Sequence, residues 1–158
     1  MPATLTVRPA TRADIPLLVD FNAAMAWETE RKRLDPERLA RGIAGPFEQP
    51  GRGRYFVAER EGAVVGSLLV TYEWSDWRDG DWWWIQSVYV AEPARRQGVF
   101  RALYVELERE ARATPGVVGL RLYVEWENER AQGTYLALGM EKCHYHMYER
   151  AFIELAQG

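Results

Sequence analysis

One cysteine, Cys143, is all the thiol chemistry that 158 residues carry. A lone thiol excludes an internal disulfide and fits a reducing compartment. No apolar run approaches membrane-spanning length, and the first residues lack the charged-then-apolar profile of a secretory signal. The expectation is therefore a cytoplasmic protein without a membrane role. Positive charge is not in surplus: 20 Lys and Arg stand against 23 Asp and Glu, a net charge of −3. That balance argues against a general nucleic-acid surface, which needs a basic face. Linker, internal repeat and low-complexity tract are all missing, so residues 1–158 read as a single domain. What remains is an ordinary globular composition, 47% hydrophobic and 27% charged, in a chain long enough for one sizeable core.

The order of elements is an α/β alternation. Thr4 to Pro9 alternates as a first strand. Thr11, with Asp14 three residues on, opens a helix running from about Arg12 towards Glu30. Asp35-Pro36 opens a second helix to about Phe47, with proline at its first position. Tyr55 to Arg60 and Val64 to Glu73 are two strands joined at Glu61-Gly62, a hairpin. A polar loop spans Trp74 to Asp81, and Trp82 to Val90 is the next strand. Leu120 to Glu125 alternates as another, Asn128 to Leu138 forms a short helix closed by Gly139, and Lys142 to Phe152 makes a final strand.

The most informative stretch is the strand ending at Val88-Tyr89-Val90 and the turn Arg95-Arg96-Gln97-Gly98 that follows it. Pro93 cannot join a sheet ladder, so the strand stops before it. Beyond Gly98, apolar residues recur at Val99, Leu103, Leu107 and Ala111, one helical face. Glu108 and Arg112 lie one turn apart on the other side. A glycine at a helix mouth lets the backbone approach a ligand, and the helix start offers unpaired N–H donors. With arginines beside them, those donors make an anion cradle suited to a phosphate or pyrophosphate. It is not a Walker loop, because no Gly-Lys-Ser/Thr is present, and not a dinucleotide fingerprint, because Gly98 stands alone.

Arg95-Arg96-Gln97-Gly98-Val99-Phe100 resembles the Arg/Gln-x-x-Gly-x-Gly/Ala element of the GNAT superfamily of acyl-CoA-dependent N-acetyltransferases. Phe100 departs from it, standing where the family usually has glycine or alanine. A second segment, Asn128-Glu129-Arg130-Ala131-Gln132-Gly133-Thr134-Tyr135-Leu136-Ala137-Leu138-Gly139-Met140, is similar to the family's Asn-x-x-Ala-x-x-x-Tyr-x-x-x-Gly-Phe, with Met140 at the aromatic position. The resemblance covers about residues 82–150. It implies the GNAT acyl-CoA N-acyltransferase fold: α/β, a mixed central sheet in the order β-α-α-β-β-β-α-β-α-β, with helices on both faces.

The resemblance also implies an activity, transfer of the acetyl group of acetyl-CoA to a primary amine of a small molecule or peptide by direct attack. The donor-binding residues it indicates are Val88, Tyr89, Val90, Arg95, Arg96, Gln97, Gly98, Val99, Phe100, Arg101 and Asn128. Backbone N–H groups of Arg96 through Arg101 would hold the pyrophosphate, and Val88 and Val90 would pair with the pantetheine arm like an added strand. Tyr135 is the implied acid for the departing sulfur, and a phenol is protonated at neutral pH. Asn128 caps its helix and is a second contact for the arm. No metal is implied: His144 and His146 share a strand face but lack a ligand pattern around them. The partners expected are an amine acceptor and no nucleic acid, with room for a homodimer.

The base is open. The position two residues before Val88 is often acidic in the family, and here it is Gln86, which can orient a water but not take a proton. Glu28, Glu30, Glu73, Asp76 and Glu125 are the remaining carboxylates, and none is singled out. Five of the seven tryptophans fall between Trp74 and Trp84. Trp74 and Trp77, among Glu73, Asp76, Asp79 and Asp81, suit a cationic amine or simply clamp a loop to the domain. A non-catalytic acyl-CoA-binding or regulatory domain on the same fold is the alternative reading, favoured by Gln86 and Phe100.

Overall fold

A computed structural model of the chain describes residues 4–157. They form two compact units: one runs to Arg121 and takes in the segment from Leu155, and the other is Leu122–Glu154.

The first unit is built on a mixed five-stranded sheet. In chain order its elements are β1 (Leu5–Pro9), α1 (Ile15–Glu30), β2 (Arg33–Leu34), α2 (Pro36–Glu48), β3 (Arg54–Arg60), β4 (Ala63–Ser75), β5 (Gly80–Val90), α3 (Val99–Ala113) and β6 (Val117–Arg121). The sheet order is β1-β3-β4-β5-β6, antiparallel except between β5 and β6, which run parallel. The short β2 pairs antiparallel with β7 (Ala156–Gln157). This is the mixed α/β sheet expected from the sequence.

Local chemistry sets the boundaries. Glu61 and Gly62 both adopt positive φ, 52° and 78°, as a two-residue hairpin between twisted strands requires. The Asp35 carboxylate accepts from the Glu37 and Arg38 N–H groups, and Pro36 occupies the first turn of α2. Trp74 to Asp81 is less of a loop than the sequence suggests. Trp74 pairs with Asp81 and Ser75 with Gly80, so the ribbon continues and only Asp76–Asp79 form its tip. Cross-strand pairing outweighs the polar composition here.

Each sheet face carries helices. On one, Leu18 of α1 and Ile43 of α2 are buried with Tyr55 and Val57 of β3. On the other lies α3, whose Val99, Leu103, Leu107 and Ala111 are all buried, as their spacing predicts. Gly66 of β4 lets α3 approach: a Cβ there would sit 2.6 Å from the Val99 Cγ1. The Arg112–Glu108 pair expected on the outer side of α3 forms at 3.2 Å.

Asp14, just before α1, is buried and ties that helix to the edge of the sheet. Its carboxylate accepts from the Thr11 N–H at 2.7 Å and from Arg8 at 2.8 Å, and Arg8 also reaches Glu59 at 2.8 Å. The hydrogen bond from Arg8 holds the Asp14 carboxyl below its ordinary value of 3.8. A lowered native pKa stabilises the fold above the unfolded value, and the gain is lost as pH falls through the native one. Asp14→Asn should therefore destabilise the protein at pH 7 by ~1–3 kcal/mol, the cost of breaking a charge-assisted network. Urea unfolding from pH 7 to 2 should show a flatter acid limb in the variant than in the wild type.

The second unit contains α4 (Glu129–Ala137). As expected, Asn128 caps it: the side-chain oxygen accepts from the Ala131 N–H at 3.1 Å. Gly139, at φ 96°, closes it. The strand expected over Lys142–Phe152 is not formed. Alternation supplies two faces but no partner, and α4 is the only regular element that this unit contains. The strand expected over Leu120–Glu125 starts earlier and stops at Arg121, the last residue to pair with β5.

Candidate donor and acceptor site

The site begins with an irregularity in β5. Ser87 has φ 50° inside a strand, and the register slips there: Tyr89 faces Ser67 but Gln86 faces Leu69. One extra residue on β5 makes a β-bulge, which bends the strand and leaves backbone groups out of the ladder. Left-handed serine costs about 1–2 kcal/mol, so the surroundings hold it in place. Nothing in the sequence announces it, since no glycine marks the position.

On the side away from β4, β6 pairs only with Asp81–Trp84 of β5. From Ile85 to Val90 that edge has no strand beside it within this unit. The Ala91 N–H donates to the Val65 carbonyl at 2.8 Å, so the neighbouring pair, Gly66 and Val90, is a non-bonded one. The N–H and C=O of Val90 therefore face the open edge. An extended amide-bearing ligand finds donors and acceptors in strand register there.

The turn after β5 carries the other half. Arg96 and Gly98 are both left-handed, φ 64° and 78°, which gathers successive N–H groups into an anion-binding concavity. Gly98 is the N-cap of α3, and no side chain caps the helix. Its first-turn N–H groups lack intrahelical acceptors, and the helix dipole adds positive potential. A Cβ at Gly98 would meet no atom within 4 Å, so the space above it is open. Gln97 is a strut, donating to the Pro93 carbonyl at 3.0 Å and accepting from Arg60. Phe100 turns along the helix, its ring 6.2 Å from that of buried Tyr104. Val99 points into the core, and Arg101 is exposed on the first turn. The cradle residues thus form one continuous turn.

Arg95 behaves differently from its neighbours. Its Nε donates to the Val90 carbonyl at 2.9 Å, and its Nη2 to Glu28 of α1, also at 2.9 Å. The Tyr89 hydroxyl donates to the other Glu28 oxygen at 3.4 Å, and the Tyr89 ring packs 4.9 Å from Phe21. The Glu28 contact is not legible in the sequence, because Glu28 lies 67 positions away.

On the sheet face shared with α1, Gln86 donates to the Thr71 hydroxyl, which fixes its amide. Four residues back along β5, the Trp82 indole lies over Gly119, where a Cβ would come within 2.4 Å of the ring. The Arg121 guanidinium covers that indole at 3.9 Å and bonds Glu73 at 2.7 Å, while Arg78 stands 4.9 Å away. Of the carboxylates beside Trp74 and Trp77, Glu73 is therefore already paired, and Asp76 accepts its neighbour's N–H at 2.9 Å. Trp74 and Trp77 are exposed, and Trp83 is buried on the opposite face.

Tyr135 and Asn128 belong to the second unit, on and at the cap of α4. Tyr135 is half-buried, and burial pushes its phenol above the ordinary value of 10.0. The His144 ring packs at a tilt against Tyr145, and among the described residues no group of three metal-ligating side chains occurs. No described helix is long and apolar enough to cross a membrane.

Comparison with known proteins shows the family. The Acetyltransferase (GNAT) family matches residues 19–140. A search of curated proteins gave no match. Among solved structures, a possible acetyltransferase from Clostridium difficile 630 is similar, with 40% identity and a TM-score of 0.87 over 95% of this chain and 99% of that one. A transcriptional regulator from Bacillus halodurans C-125 shares the fold at 22% identity, TM-score 0.79, over 94% of this chain and 100% of that one. So does AAC(6')-Iy, solved with the bisubstrate analogue CoA-S-monomethyl-acetylneamine, at 14% identity, TM-score 0.77, over 96% of this chain and 100% of that one. The family match spans most of the chain, and the bulged strand and uncapped helix both lie inside it; this chain belongs to the GNAT family of acetyltransferases.

Proposed function

We propose that this protein transfers the acetyl group of acetyl-CoA to a primary amine of a small molecule or peptide. One observation carries the reading: the open edge of β5 runs directly into the left-handed turn and uncapped start of α3. A pantetheine arm fits the first and a pyrophosphate the second. AAC(6')-Iy, which shares the fold, was solved with an analogue that joins CoA to an amine acceptor.

In this reading the Arg96–Arg101 N–H groups hold the phosphates and the Val88 and Val90 amides align the arm. The bulge at Ser87 leaves backbone donors near the thioester carbonyl, where they stabilise the developing oxyanion. The acceptor nitrogen attacks that carbonyl, the C–S bond breaks, and the sulfur leaves as thiolate, protonated by Tyr135. Gln86 cannot take the ammonium proton, so a water positioned by its amide carries it away.

Acetyl-CoA at 1 mM should raise the melting temperature, because a ligand bound only by the native state stabilises it by mass action. With Kd near 10 μM the gain is about 2.7 kcal/mol, several degrees for a chain of this size. A flat response at millimolar acetyl-CoA would overturn the reading. The specific observation that favours a non-catalytic acyl-CoA-binding role is Gln86, immobilised by Thr71 where an acid would serve as base. That role predicts the same thermal shift without turnover on any amine.

A further inference from the structure

The first residue of the cradle motif is expected to face the phosphates with its charge. In the structure the Arg95 guanidinium is spent elsewhere, on Glu28 and on the Val90 carbonyl. Its backbone N–H is also taken, donating to the Glu92 carbonyl at 3.2 Å. Glu28 neutralises the charge that a phosphate would seek. The Tyr89 ring, 5.5 Å from the guanidinium carbon, walls in its other side.

The Val90 carbonyl matters because of where it points. It faces the open edge of β5, with no ladder partner on β4. An arm pairing along that edge must donate an amide N–H to the same oxygen that the Arg95 Nε now holds. The opposing contact is light: the Arg95 and Glu28 side chains are 42% and 38% exposed, and a pair so wetted adds little to stability.

Resting on the reading of β5 as the donor strand, we propose that Arg95 is a positioning latch, not a phosphate ligand. It ties the last turn of α1 to β5 through Glu28 and Val90, and it competes with the donor's pantetheine arm for the Val90 carbonyl. Donor binding displaces the Nε and loosens α1 from the strand. By linkage, whatever fixes α1 against β5 then weakens donor binding to the same degree.

The test compares two probes by calorimetric titration: acetyl-CoA, which has the arm, and 3′,5′-ADP, which has phosphates and adenosine but no arm. Arg95→Lys keeps the charge but loses the fork that bonds Val90 and Glu28 together. The latch predicts that the variant binds acetyl-CoA about 3–10-fold more tightly, the worth of one net hydrogen bond, and 3′,5′-ADP within about 2-fold of wild type. Arg95→Ala should shift the ratio of the two affinities in the same direction, which covers poor folding of either variant. A purely structural role would lower the melting temperature and leave that ratio unmoved, and this result overturns the proposal. Parallel losses for both probes would mark a phosphate ligand and overturn it too. Wild type that binds neither probe would instead remove the donor-strand reading itself, and the latch with it.

Discussion

Gly98→Val should cost acetyl-CoA affinity about 10–100-fold, the loss of one or two charge-assisted hydrogen bonds, while the fold survives. Gly98 sits at φ 78°, a conformation that a β-branched residue adopts only under strain of about 1–2 kcal/mol. Beyond its two chain neighbours, nothing lies within 4 Å of the new Cβ, so the added carbon meets no other part of the protein. The added volume goes into the open space above the turn, where the pyrophosphate would approach the N–H groups of α3. Stability and affinity therefore respond unequally. Titration calorimetry beside thermal melts measures both, and a variant that melts lower but binds acetyl-CoA as wild type does would remove the pyrophosphate from this turn.

Tyr135→Phe should slow acetyl transfer ~10–100-fold, at the low end of general acid catalysis, with donor affinity unchanged. Burial raises the phenol's pKa above its ordinary 10.0, so at neutral pH it is fully protonated and able to donate. An acid works below its pKa, so the wild-type rate should lose nothing to this group until the pH passes 10. Single-turnover measurements of thiol appearance isolate the chemical step. An unchanged rate in the phenylalanine variant would leave the thiolate to depart unprotonated.

Much of this was legible from periodicity and punctuation. The buried stripe of α3, the Asn128 cap, the Gly139 stop and the Glu61-Gly62 hairpin follow from residues within a few positions of one another. The cradle turn was legible for the same reason, as a proline, a glycine and a helix start in sequence. What escaped was non-local. Lys142–Phe152 alternates like a strand but has no ladder partner in its unit, and the ribbon past Trp74 persists through pairing that polar composition hides. The bulge at Ser87 and the Glu28–Arg95 and Glu73–Arg121 pairs depend on which strand or helix lies opposite. The amine-binding reading of Trp74 and Trp77 keeps two exposed rings, but Glu73, one of its carboxylates, is held by Arg121.

Acetyl transfer itself is the claim that most needs measuring. Wild-type protein is mixed with acetyl-CoA and a panel of amines (amino acids, polyamines, aminoglycosides and lysine peptides), and free thiol is followed with a chromogenic disulfide. At least one amine should accelerate thiol release well above buffer and above acetyl-CoA hydrolysis by the protein alone, with mass spectrometry showing one acetyl group on that amine. Saturable acetyl-CoA binding with no amine-dependent release across the panel would contradict it, and would make the protein an acyl-CoA-binding member of its family.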